Sequence, residues 1–143
     1  YIKKGKGCSS HHLKVVGFRN LIEFMKKIAT LTCLHSNKVC ARVSCLSAFQ
    51  NRTAFFKDYP EDTVLAAMMT CNGCRSITET EPQDDKGIQE KIDRLVHEGI
   101  QTVHVGVCRL NKSGNECPRI TAICQMLEAR EIEVIRGTHA ERH

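Results

Sequence analysis

The 143-residue chain has no tryptophan, two tyrosines, five phenylalanines and three prolines. Its core must therefore be assembled from Ile, Val, Leu, Met and Cys rather than from aromatic rings. No run of about 18 apolar residues occurs, which argues against a membrane-spanning helix. The N-terminal stretch carries lysines but no apolar segment of the kind that drives export, so a cytoplasmic location is expected. Neither a GxGxxG nor a P-loop glycine pattern is present, which removes the usual phosphate-binding motifs. A basic face is also lacking. Although the formal net charge is +5, seven basic residues (Lys3, Lys4, Lys6, Lys14, Arg19, Lys26, Lys27) and one acid (Glu23) fall within positions 1–27. The remainder carries 14 basic and 15 acidic residues and is nearly neutral. Such a body argues against a nucleic-acid partner, which calls for a basic face on the domain itself.

What the chain does have is cysteine. Nine are present: Cys8, Cys33, Cys40, Cys45, Cys71, Cys74, Cys108, Cys117 and Cys124. The number is odd, and a chain of this size can bury a core without disulfide staples. High cysteine content without an export signal points to metal or redox chemistry.

Residues 1–24 differ in composition from the rest of the chain and are expected to be an N-terminal extension, with Met25-Lys26-Lys27 resembling a translation start. Positions 25–143 then read as one cysteine-rich α/β domain. Strands are expected at Ile28–Cys33, Thr63–Thr70, Thr102–Cys108 and Ile132–Ile135, each a short apolar, β-rich run. Between them lie three helical patterns. One spans Val43 to Phe56. A second begins at Asp84–Asp85, carries Ile88, Ile92, Leu95 and Val96 on one face, and stops at Gly99. A third opens at Cys117-Pro118 with Ile120, Ile123, Cys124 and Leu127 as its apolar stripe. Alternation of this kind predicts a small open parallel sheet of about four strands with helices on both faces, a flavodoxin- or Rossmann-like three-layer sandwich.

That topology gives the cysteines their meaning. In a parallel sheet all carboxyl ends share one edge, where open α/β folds bind their ligands. Cys33, Cys71 and Cys108 each fall at or just after a strand end, and His139 lies a few residues beyond the fourth strand. Cys74 and Cys117 occupy or follow loops leaving that edge, and Cys40 and Cys45 lie in the first such loop and the start of its helix. CxxC spacing lets Cys71 and Cys74 chelate one ion. Cys45 admits either a ligand or a packing role, and His139 either a ligand or an ordinary surface role. Cys124 completes a helix stripe and reads as a buried hydrophobe. His35 is a reserve ligand; His97 is expected on a solvent face and His104 inside a strand. Cys8, His11 and His12 belong to the extension and receive no role.

The set comprising Cys33, the Cys40–Cys45 pair, Cys71-Asn72-Gly73-Cys74, Cys108, Cys117-Pro118 and Val134-Ile135-Arg136-Gly137-Thr138-His139 resembles the CGGC-domain family. These are small prokaryotic proteins described as metal-binding on account of their cysteines and histidines. The resemblance runs from about Lys27 to His139 and implies a metal site at Cys33, Cys40, Cys45, Cys71, Cys74, Cys108, Cys117 and His139. Two positions depart from it. Asn72 replaces the first glycine of the name-giving motif, and Arg119 stands where the family often has histidine. A zinc ion is the expected cofactor, and an iron–sulfur cluster is the other metal reading. The alternative function is a thiol–disulfide redox enzyme using the Cys71/Cys74 dithiol. Whether the site turns over a substrate is left open.

Overall fold

The computed structural model describes residues 25–74 and 77–140. The expected extension over positions 1–24, with Cys8, His11 and His12, lies outside the described residues. The domain is the anticipated α/β sandwich. Four strands, β1 (Lys27–Thr32), β2 (Val64–Thr70), β3 (Thr102–Val105) and β4 (Glu133–Arg136), form one all-parallel sheet in the order β2-β1-β3-β4. Three helices connect them: α1 (Val43–Asn51), α2 (Lys86–Glu98) and α3 (Pro118–Ala129).

Central β1 is buried on both faces from Ile28 to Thr32, as a parallel strand covered by helices must be. Ala29 and Leu31 join Val103, Val105, Ile88, Ile92, Ile120, Ile123 and Leu127 in the larger core, which lies beneath α2 and α3. Ile28 faces the other way, against Ala48 of α1 and Phe56. Helix α2 starts where the Asp85 carboxylate accepts the Gly87 and Ile88 N–H groups at 2.8 and 3.2 Å, and ends at Gly99 with φ 87°. Helix α3 starts with Pro118 at its first turn, where a missing N–H costs nothing.

Four local expectations are corrected. Helix α1 stops at Asn51 rather than Phe56, because Arg52 takes a left-handed conformation (φ 54°) and its N–H closes onto the Ala48 and Phe49 carbonyls. A separate 3₁₀ turn, Ala54–Phe56, then drops Phe56 into the core. Strand β3 ends at Val105, so Cys108 sits in a following 3₁₀ turn, Val107–Arg109, rather than in the strand. Strand β2 is the sheet border among the described residues, which leaves Val64 and Met68 exposed within a run whose apolar composition implied burial. Val96, placed by periodicity on the apolar face of α2, is exposed.

Candidate metal centre at the carboxyl edge of the sheet

The chain leaves β1 for the neighbour on one side, β2, and then crosses to the neighbour on the other side, β3. The reversal puts the topological switch point between β1 and β3, where open α/β sheets leave a crevice. Cys33 follows β1 at this point. Its N–H donates to Cys108 Sγ at 3.2 Å, and the next N–H, of Leu34, donates to Cys71 Sγ at 3.4 Å. Two successive amides at the end of the central strand thus serve sulfurs that follow the strands on either side. The bond to Cys108 favours its thiolate over its thiol. Burial nevertheless pushes the Cys108 thiol up; the Cys33 N–H works against this, and the Cys33 and Cys45 sulfurs add to it.

Cys71 and Cys74 are joined by a turn whose central residues both have positive φ, 64° at Asn72 and 105° at Gly73. Asparagine tolerates the left-handed region better than most residues, so the departure from glycine keeps the turn. Gly73 cannot be replaced as easily, since a Cβ there would lie 3.0 Å from the Ile77 side chain.

Three side chains clamp this turn from outside. Arg119 donates to the Cys71 carbonyl at 2.7 Å, to the Thr80 carbonyl at 2.6 Å and to Asp85 Oδ2 at 2.7 Å. Lys91 donates to Asn72 Oδ1 at 2.6 Å and to the Thr70 carbonyl and hydroxyl at 3.2 Å. The Asn72 amide in turn donates to Asp85. Burial would raise the Asp85 pKa, but the bonds from Ile88, Asn72 and Gly87 and the Arg119 charge outweigh it and hold the carboxyl below its ordinary value. Arg119, in the first turn of α3, therefore positions the cysteine turn.

Cys74 and Cys117 line one cleft together with Glu81, Pro118 and Arg119. Burial raises the Cys74 thiol pKa, and the Cys33, Cys71 and Cys117 sulfurs raise it further, partly offset by Arg119. The Cys33, Cys71 and Cys117 sulfurs thus act on Cys74 from the same end of the sheet, although they span sequence positions 33 to 117.

On the α1 side of the edge, Cys45 Sγ lies 3.2 Å from Thr138 Oγ1 and 3.5 Å from His139 Nδ1. The turn carrying Thr138 and His139 is held by Phe55, whose N–H donates to the Thr138 carbonyl at 3.2 Å and whose ring fills the space a Cβ at Gly137 would need. It is also held by His104. That residue is fully buried, with Nδ1 2.8 Å from the Gly137 carbonyl and Nε2 2.7 Å from the Tyr59 hydroxyl. A carbonyl can only accept, so Nδ1 carries the proton, and in the neutral ring Nε2 accepts from Tyr59. Burial lowers the His104 pKa and favours that neutral form.

The remaining candidates lie apart. Cys40 is exposed, and its sulfur accepts the Arg42 N–H at 3.3 Å. His35 and His97 are exposed. Cys124 is fully buried within the α3 stripe, its thiol pushed up to about 11 chiefly by burial. Among the described residues no group of three or more His, Cys, Asp or Glu side chains is assembled to hold a metal ion. The donor chemistry nevertheless suits a soft or borderline cation, with thiols predominating and one imidazole nearby. Sequence pattern alone does not reveal Arg119, Lys91, His104 and Tyr59 as architects of this edge. For His104, a lone histidine in the middle of an apolar strand was the available signal.

The chain matches the family model described as the CGGC domain over residues 27–139. Neither the curated proteins nor the solved structures contain a match to it.

Proposed function

The chain belongs to the CGGC-domain family, and from that premise we propose that it binds a zinc ion through Cys33, Cys71, Cys74 and Cys117. The observation that carries this reading is placement: the Leu34 N–H, next after Cys33, donates to Cys71 Sγ at 3.4 Å, and Cys74 and Cys117 line one cleft with Arg119, which holds the Cys71 carbonyl. A cation coordinated by these sulfurs would stabilise their deprotonated forms together. Four sulfur donors also match the tetrahedral all-cysteine coordination that zinc favours in structural sites. Asp85, Lys91 and Arg119 fix the Cys71–Cys74 turn from outside, the supporting role that orients metal ligands elsewhere. Since the sulfurs are not assembled about a point in advance, binding is expected to draw the Cys74 and Cys117 side chains inward and to release protons.

Anaerobic purification followed by elemental analysis and a UV–visible spectrum tests the proposal. Zinc with a featureless spectrum supports it. Iron with sulfide-to-iron bands replaces it with an iron–sulfur cluster on the same thiols. Absence of any metal overturns it and favours the Cys71/Cys74 dithiol. Against the dithiol stands the segment after Cys74: the Ile77 and Thr78 N–H groups fold back onto the Cys74 carbonyl, and the next long helix waits until Lys86. A reactive dithiol of the thioredoxin kind opens a helix directly.

A further inference from the structure

We propose that Glu116 is a positioning residue of the four-thiol group: its carboxylate sets where Cys117 stands at the sheet edge and, through Cys117, how tightly a zinc ion is held. The inference rests on the reading of the protein as zinc-binding. Its structural half, the hold of Glu116 on Cys117, is open to test on the metal-free chain as well.

The segment from Gly106 to Cys117 first closes on itself. Leu110 and Glu116 form an antiparallel bridge, and the Asn111 side-chain oxygen accepts the Ser113 and Asn115 N–H groups at 2.8 and 2.9 Å. The Cys117 N–H donates to the Arg109 carbonyl at 2.8 Å. These bonds are all local. They shape a hairpin loop without fixing where it rests against the sheet.

Glu116 supplies that anchorage. Its Oε1 accepts from Arg136 Nε at 2.7 Å and lies 3.3 Å from Arg109 Nε, an ion-pair contact. Its Oε2 accepts from Arg136 Nη2 at 3.1 Å and from the Thr121 hydroxyl at 2.6 Å. One carboxylate, with 17% of its side chain exposed, thus joins the last residue of β4, the turn after β3 and the first turn of α3. Arg136 engages both oxygens, a fork geometry that fixes orientation as well as distance.

The same contacts bracket Cys117. Thr121, which Glu116 holds by its hydroxyl, is also the residue whose N–H donates to the Cys117 carbonyl at 2.9 Å. Cys117 is therefore gripped by Glu116 before it and by Thr121 one turn after it. Pro118 restricts it further, to the extended conformation it adopts (φ −61°, ψ 126°). With the backbone held at these points, rotation of the side chain is the freedom left to the thiol in its cleft with Cys74. A hairpin closed by its own backbone does not require a carboxylate with three partners. A thiol that must meet others carried on different loops does.

Two readouts test the proposal: zinc affinity by competition with a chromophoric chelator, and alkylation of Cys117 and Cys74 in the metal-free full-length chain, followed by peptide mass spectrometry. Glu116→Gln, which keeps the size of the side chain but not its charge, should weaken zinc by about tenfold or more at unchanged stoichiometry. It should also speed labelling of Cys117 but not of Cys74. Thr121→Val should show part of both effects, and Thr121→Ser, which keeps the hydroxyl, should behave as wild type; this pair decides the matter if Glu116→Gln does not fold. Cys124→Ala, a packing change in the same helix, gauges lost stability alone and should leave both readouts in place. Equal effects in Cys124→Ala and Glu116→Gln would overturn the proposal. Wild-type zinc affinity and Cys117 labelling in Glu116→Gln would overturn it too, with the four-thiol site left standing. No zinc uptake by the wild-type chain overturns the four-thiol reading and the zinc half of the proposal together, and Cys117 labelling then decides the hold of Glu116 on the loop.

Discussion

Arg119 Nε donates to the Cys71 carbonyl at 2.7 Å, so the first turn of α3 grips the residue at which the chain leaves β2. The same guanidinium reaches the Thr80 carbonyl and Asp85, which caps α2. One side chain thereby ties two helix starts and a strand end to the turn that carries Cys71 and Cys74. Its charge is little exposed, as is that of Asp85, at 10% and 14% of side-chain surface.

Arg119→Ala is accordingly expected to cost roughly 3 kcal/mol, because it strands a partly buried carboxylate and two carbonyls. A urea or guanidinium midpoint measures the loss. Arg119→Lys should recover less than half, since one ammonium cannot serve three acceptors at fixed fork geometry. A near-neutral Arg119→Ala would mean that the clamp is decorative.

Asp85 makes part of that stability depend on acid. Its folded pKa is depressed, so its contribution is present above the unfolded value of about 3.9 and is lost as pH falls through the lower folded value. Stability curves of the wild type and Asp85→Asn should therefore run parallel near neutral pH and close on each other as pH falls below about 4. Curves that keep a constant separation down into strong acid would contradict the assignment.

The His104–Tyr59 pair acts in a different window. The folded His104 pKa is also depressed, so the unfolded chain binds a proton first as pH falls below about 6.5. Stability should decline from there until the folded-state value is passed. Tyr59→Phe leaves Nε2 without its donor in a buried place and should cost about 1–3 kcal/mol at neutral pH. Thermal denaturation between pH 5 and 8 checks both statements.

Cys124→Ala is a packing change alone. It should cost on the order of 1 kcal/mol and leave metal stoichiometry untouched, and its thiol, pushed up to about 11, should resist alkylation in the native protein at neutral pH. Rapid labelling of Cys124 in the folded chain would show that α3 opens.

Gly137→Ala places a methyl group where the Phe55 ring lies. Overpacking of this sort costs about 1–3 kcal/mol, and here it should also shift the Thr138–His139 turn. Comparison with Gly99→Ala, where φ is left-handed but nothing crowds the added atom, isolates the steric part.

Much of this architecture was legible from residue pattern. The four strands and three helices follow from short β-rich runs alternating with amphipathic stretches. Cys33, Cys71 and Cys108 could be gathered on one edge because parallel strands share it. The end of α1 was not legible, since apolar residues continue through Phe56 and nothing local announces the left-handed Arg52. The Arg119 and His104 contacts were invisible for another reason. Their partners lie 48 positions away at Cys71 and 45 positions away at Tyr59, and no periodicity encodes such a meeting. The convergence of Cys45 with His139, 94 positions apart, was open to the edge argument but not its spacing.

The bordering position of β2 bears on how the molecule keeps to itself. Its seven residues, Val-Leu-Ala-Ala-Met-Met-Thr, carry no charge and, among the described residues, have no strand on their outer flank, the kind of surface on which a second chain can add a strand. Two features shorten the usable length. The pairing register slips so that Ala66 stands outside the ladder between Leu65 and Ala67, and the Lys91 ammonium occupies the Thr70 carbonyl at the far end. Only Ala67 to Met69 remain as regular, unencumbered strand, too short a template for stable edge-to-edge growth. The lysine that steadies the cysteine turn thus also occupies one acceptor that an added strand would need.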